Sequence, residues 1–262
     1  MIRSSTQEIV PLQKKKLIDC EVSTGSYQQI LSKIIELAQA KVSSYVCFAN
    51  VHMLSEANWN LGFRNIVNQA DIVSPDGKPL SVLMRYQYGM PQERACGMDL
   101  FPDILQQADE KGLTVFLYGS TDDLLQTIIT KAEQQYSNKV IAGAYAPPFR
   151  PLSTEEDSEV VRMINNSGAD LVFVSLGCPK QETWMYEHKG KINACMLGLG
   201  QAFRTYAGVE KRLPKWARDY ALEWLYRLTL EPKRLWKRYL IGNSWFVWKS
   251  FKSILKYRLQ KQ

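Results

Sequence analysis

From residue 16 to residue 206, short apolar runs alternate with helix-length amphipathic segments, and this alternation constrains the fold more than any other feature. "KLIDCEV", "SYVCFAN", "ADIVS", "LTVFLYGS", "KVIAGAY", "ADLVFVSLG" and "NACMLGLG" read as strands. Between them, segments such as "SYQQILSKIIELAQAK" and "HMLSEANWN" carry apolar residues at helical spacing, and "MDLFPDILQQADEKG" stops at Gly112. Strand–helix alternation argues for a Rossmann-like, mostly parallel α/β sheet with helices on both faces. From Pro214 onward the strands cease, and consecutive helices follow with a break at Pro232. The expected division is an α/β domain over residues 1–210 and a basic, Trp-rich helical appendage over residues 211–262.

Charge follows the same division. Residues 211–262 hold fourteen Lys and Arg against three acids, a net +11, whereas residues 1–210 hold nineteen bases and twenty-three acids. Five of the seven tryptophans (Trp216, Trp224, Trp236, Trp245, Trp248) lie in the basic part. Indole rings beside cations suit a membrane surface with anionic lipid; they also suit nucleic acid. The last segment aligns Trp245, Trp248, Phe251, Leu255 and Leu259 at helical spacing, with Lys249, Lys252 and Lys256 beside that stripe. A membrane surface is the expected partner of this stripe, with a partner helix or homo-oligomerisation as the alternatives.

Five scattered cysteines without a C-x-x-C pair fit buried thiols in a reducing compartment. The N-terminus lacks the apolar core of a signal peptide, and no apolar run reaches the roughly 18 residues of a membrane span. The expected location is the cytoplasm.

Open α/β sheets bind ligands beyond the carboxyl ends of their strands. Asn50, Asp76, Gly119-Ser120, the run from Gly177 to Glu182 and the run from Gly198 to Gln201 all follow expected strands and should rim one cleft. A P-loop is absent. "GLGQAF" has Phe203 where a dinucleotide fingerprint needs its third glycine, which disfavours a nicotinamide-dependent oxidoreductase. Only His52 and His188 are present, and no exposed D-x-D is found. The chemistry expected here needs no metal and no cofactor, and relies on carboxylate and cationic side chains.

The pieces "FANVHML", "SPDGKPL", "ERACGMDL", "GCPKQETWM", "GLGQAF" and above all "RLPKWARDYALEWLYRLTLEPKRLWKRYLIGN" resemble the WecG/TagA/CpsF family, glycosyltransferase family 26, over about residues 17–245. The resemblance implies an inverting, metal-independent transfer from a UDP-sugar to a polyprenyl-diphosphate-linked sugar at the inner face of the cell membrane. The sugar it implies is N-acetylmannosamine or its uronic acid, placed on N-acetylglucosamine for cell-surface polysaccharide or teichoic acid synthesis. Glucose transfer in exopolysaccharide assembly is the alternative within the family. The family's general base falls on Asp76, and its substrate-binding residues fall on Asn50, Arg94 and Gln181. This chain departs from the family in one place: Phe48 stands where many members have a pocket threonine.

Elementary chemistry accommodates those roles. An acceptor hydroxyl that attacks the anomeric carbon must lose a proton, and one carboxylate within reach suffices to take it. Asp76 in a Pro-Asp-Gly turn could instead cap the helix after it. Asn50 could cap its own helix, and Arg94 could bridge to Glu93 or Asp99. Arg227, Arg234 and Arg238 recur at spacings of seven and four; a continuous helix would put them on one face, aimed at a diphosphate. A nucleic-acid-binding protein would use the same tail but leaves Asp76 and "GCPKQE" without a task, so no nucleic acid is expected as a partner.

Overall fold

The computed structural model describes residues 9–136 and 139–260. The described chain enters through an antiparallel hairpin, β1 (Lys14–Leu17) and β2 (Cys20–Ser23), with Leu17 paired to Cys20. The single strand expected over "KLIDCEV" is therefore two, reversed at Ile18, whose φ is +60°. Apolar residues occur on both sides of the reversal, so the pattern runs through it without a mark.

Helix α1 (Tyr27–Gln39) then leads to β3 (Ser44–Ala49), α2 (Val51–Trp59), α3 (Leu61–Gln69) and β4 (Ile72–Pro75). Next come α4 (Lys78–Tyr88), α5 (Gly97–Lys111), β5 (Val115–Gly119), α6 (Asp122–Gln135) and β6 (Ile141–Tyr145). The α/β alternation ends with α7 (Thr154–Asn166), β7 (Leu171–Ser175), α8 (Lys180–His188), β8 (Cys195–Gly198) and the short α9 (Ala202–Tyr206). Strands β3 to β8 form one sheet, all neighbours parallel, in the order β4-β3-β8-β7-β5-β6. The α/β class and the helix-flanked parallel sheet are as the alternation requires.

Period-two alternation divides each central strand between two cores. Val46, Phe48, Leu117, Phe173 and Leu197 pack beneath α1, α5 and α6. Tyr45, Cys47, Tyr118, Val172, Val174 and Met196 pack on the opposite face with residues of α2, α3 and α8. Local chemistry fixes the helix ends. Ser26 and Ser153 each open a helix with a capping box, paired with Gln29 and Glu156, and Gly112 closes α5 in the left-handed region. Helix α3 lies beyond the segment read as helical; Asn60 ends α2 and caps α3 by accepting from the Phe63 N–H. None of the five cysteines forms a disulfide, and all but Cys178 are buried.

Among the described residues, the elements after α9 are all helices: α10 (Lys215–Asp219), α11 (Glu223–Leu230) and α12 (Pro232–Leu259). Pro232 opens α12, where its missing N–H leaves no bond unmade. Helix α12 is 28 residues long and packs along α2 and α4. The expected stripe is divided by this packing. Trp245 leans on Trp59 of α2 with ring centroids 5.8 Å apart, and Phe246 is buried. Tyr257 meets Tyr88 edge-on, and Ser253 bonds Gln87. Trp248, Phe251, Leu255 and Leu259 stay exposed, with the Lys252 ammonium 3.9 Å from the Trp248 ring centroid. Among the described residues no helix is long and apolar enough to cross a membrane.

Candidate active site

A cleft of about 820 Å³ opens beyond the carboxyl ends of the sheet. Asn50 after β3, Asp76 after β4, Ser120 after β5, Gly177 and Gln181 after β7, and Gly198 to Gln201 after β8 all line it. The strand order brings together the groups that the sequence placed after separate strands. The opposite wall comes from the C-terminal helices, through Glu223, Trp224 and Arg227 near α11 and Leu235, Tyr239 and Asn243 on α12.

Asp76 is held at three points in this cleft. Its N–H donates to the Ala49 carbonyl at 2.9 Å, tying the turn to the end of β3. One carboxylate oxygen accepts from the Gly97 N–H at 3.2 Å, and the other from the Asn50 amide at 3.4 Å. Gly97 begins α5, so the positive end of that helix faces the carboxylate. Asp76 does not cap α4: Gly77 holds that position and no side chain bonds there. The neighbouring Cys96 thiol is pushed up to about 12 by burial and by the Asp76 charge.

Asn50 serves two neighbours at once. Its Oδ1 accepts from the Met53 N–H at 3.1 Å and caps α2. With Oδ1 committed, its NH₂ is left facing Asp76.

Arg94 lies behind the Asp76 turn. Its Nε donates to the Asp76 carbonyl at 2.8 Å, and its Nη1 sits 2.7 Å from Glu223 Oε1. It borders an adjoining groove of about 840 Å³, together with Asp99, Arg212 and Arg218. Burial alone would make the guanidinium a stronger acid; the opposing charges of Glu223 and Asp76 act against it and hold Arg94 charged. Burial pushes Glu223 upward against the pull of Arg94. The bridge is thus to the C-terminal helices rather than to Glu93 or Asp99.

Gln181 is 5% exposed and fully engaged. Its NH₂ donates to Glu182 Oε1 and to the Gly198 carbonyl, both at 2.8 Å, and its Oε1 accepts from the Gly177 N–H at 3.2 Å. Only glycine tolerates this approach from β8: a Cβ at Gly198 would lie 2.9 Å from Gln181 Nε2. Gly200, at φ +43°, would bring one to 3.1 Å from Gln181 Oε1. Glu182 is wholly buried, and that burial pushes its carboxyl up to about 7.

Arg227 reaches Gln201 Oε1 from α11, and Gln201 in turn donates to Glu210 at 2.7 Å. The break at Pro232 puts Arg227 on α11, and Arg234 and Arg238 on α12, so the three do not share one continuous helix. The side chains of Arg234 and Arg238 lie outside the described residues. Phe48 lines the cleft floor. Glu223 was not singled out from the sequence, although an acid among only three in residues 211–262 was a signal.

A parallel sheet with a ligand-sized cleft at its carboxyl edge, and a carboxylate held in that cleft by a backbone N–H and an amide, define the class: an α/β protein built to bind a ligand beyond its strand ends. The family model described as "Glycosyl transferase WecG/TagA/CpsF family" matches residues 15–260. The chain belongs to this family of glycosyltransferases. It is 30% identical over 201 residues to the N-acetylglucosaminyldiphosphoundecaprenol N-acetyl-beta-D-mannosaminyltransferase of Bacillus subtilis (strain 168), covering 76% of each chain. It is 33% identical over 199 residues to the protein of that name from Bacillus spizizenii, covering 75% of each.

Proposed function

We propose that this protein transfers N-acetylmannosamine from a UDP-sugar to a polyprenyl-diphosphate-linked N-acetylglucosamine. The names of the two Bacillus relatives favour this sugar over glucose. The observation that carries the chemistry is the Asp76 carboxylate, held in the cleft by the Gly97 N–H and the Asn50 amide.

In this reading an acceptor hydroxyl attacks the anomeric carbon while the bond to the UDP oxygen breaks. The bonding pair leaves with UDP, and the hydroxyl proton passes to Asp76. Arg227 is one of the described cations lining the cleft, with Lys78 and Arg204, and from α11 it offsets the charge growing on the departing diphosphate. Arg94 acts through the turn, fixing the Asp76 carbonyl from behind, and Gln181 braces the β7 and β8 ends that form the floor. The C-terminal helices serve as both cleft wall and membrane contact, with Trp248, Phe251, Leu255 and Leu259 as the apolar face. The enzyme then works as a peripheral protein on the inner membrane face.

The deciding experiment measures UDP release from a panel of UDP-sugars with a lipid-diphosphate N-acetylglucosamine acceptor, wild type beside Asp76→Asn. The expected result is acceptor-dependent release with one donor and a fall of about 10²–10⁴-fold in the variant, with UDP binding retained. Undiminished release by Asp76→Asn would remove Asp76 from the chemistry.

A further inference from the structure

The transfer chemistry uses Asp76 and leaves a second carboxyl in the same cleft without a task. Glu182 stands in the first turn of α8, lines the cleft and is 0% exposed. One oxygen accepts from Gln181; the other, Oε2, has no hydrogen-bond partner. The groups acting on its charge are Gln181, its own N–H and the Cys178 thiol, with no lysine or arginine among them. Cys47 adjoins it from β3, held as a thiol by burial. The cleft around it is also lined by His52 on α2, Asp76 after β4, Lys78 on α4, Cys96 before α5, Arg204 on α9 and Glu210 after it, and by Glu223, Arg227, Glu231 and Tyr239 from the C-terminal segment.

A buried carboxylate without a cation is disfavoured, and such a group keeps its proton instead. A nucleoside diphosphate brings further negative charge into the same poorly solvated space, which favours the neutral carboxyl again. Linkage makes the effect mutual: a ligand that tightens the proton is itself bound more tightly when the proton is present.

We propose that Glu182 couples binding of the nucleoside diphosphate to uptake of one proton, while its other oxygen keeps Gln181 in place. The proton comes from solvent as the sugar nucleotide binds and returns there when UDP leaves; no covalent bond is involved. Glu182 is thus a positioning residue that also makes donor affinity depend on pH. This inference rests on the sugar-nucleotide reading above.

The test is calorimetric titration of the full chain with UDP between pH 7.5 and 9, above the usual range of His52 and of the UDP phosphates. Two buffers of different protonation enthalpy report the proton count. Wild type should take up protons on binding UDP at pH 8, at most one per UDP, and its Kd should weaken as pH rises, by at most about tenfold per pH unit. Glu182→Gln should bind with a flat profile and no uptake, whereas Cys178→Ser should keep both effects. An unchanged slope in Glu182→Gln, or a slope lost in Cys178→Ser, would overturn the assignment. Should Glu182→Gln fail to fold, the wild-type measurement still decides: UDP binding without proton uptake overturns the inference alone. Wild-type protein that binds no UDP at any pH would overturn the donor reading and the inference with it.

Discussion

Replacing Glu182 with glutamine preserves the side chain's shape and removes its charge, so the two proteins should differ in how stability depends on pH, even without ligand. In the folded chain this carboxyl is raised from 4.5 to about 7 by burial. Between those values the folded protein keeps a proton that the unfolded chain releases, so wild-type stability falls as pH rises through this window and levels off above it. At about 1.4 kcal/mol per pH unit, the loss amounts to about 3 kcal/mol. Glutamine escapes that loss but puts an NH₂ group where Oε2 has no partner, a pH-independent cost of about 1–3 kcal/mol. Glu182→Gln should therefore be the less stable protein at pH 5 and should match or exceed wild type at pH 8. Urea midpoints at pH 5, 6, 7 and 8, with equal m values, measure the difference. Parallel profiles for the two proteins would show that Glu182 is already ionised in the folded state and refute the reasoning.

Asn50→Ala removes the cap of α2 and the amide facing Asp76, and should lower stability by about 1 kcal/mol together with turnover. Asn50→Ser keeps a capping oxygen but removes the amide facing Asp76, so urea midpoints near wild type with turnover still lost would separate the two roles. Gly198→Ala forces a methyl against Gln181 Nε2 and Met185 Cε, both 2.9 Å away, and should destabilise by about 1–3 kcal/mol in thermal or urea unfolding. Phe251→Glu on the exposed face of α12 should weaken sedimentation with anionic vesicles at unchanged urea midpoint; undiminished sedimentation would remove this face from the membrane contact.

The order of elements was readable because strand-like and helix-like spacing alternate and because some ends are marked, as Gly112 marks the end of α5; the capping serines before α1 and α7 are further marks of this kind. The β1–β2 reversal was not, because Ile18 is an apolar residue in a left-handed turn, a place where glycine or asparagine would have marked it. Asp76 and Asn50 were legible as a pair only through strand order, since the 25 positions between them contain two helices. Arg94 illustrates the reverse difficulty. Its nearest acids in sequence are Glu93 and Asp99, but its partner is Glu223, supplied by a helix whose docking no local pattern encodes. The division of the α12 stripe has the same origin: helical spacing shows which residues align, and only packing against α2 shows that Trp245 faces inward.

Helix α2 carries something different at each end. Asn50, beside the carboxylate, caps its start, and Trp59, at its last turn, receives Trp245 of α12. Nine residues make a rod roughly 13 Å long, short and stiff enough to move as one piece. The long C-terminal helix and the Asp76 carboxylate are thus fastened to opposite ends of a single beam. A sideways thrust on α12 at Trp245 arrives at Asn50 as a tilt, and the 3.4 Å contact to Asp76 is the first gap such a tilt would open or close.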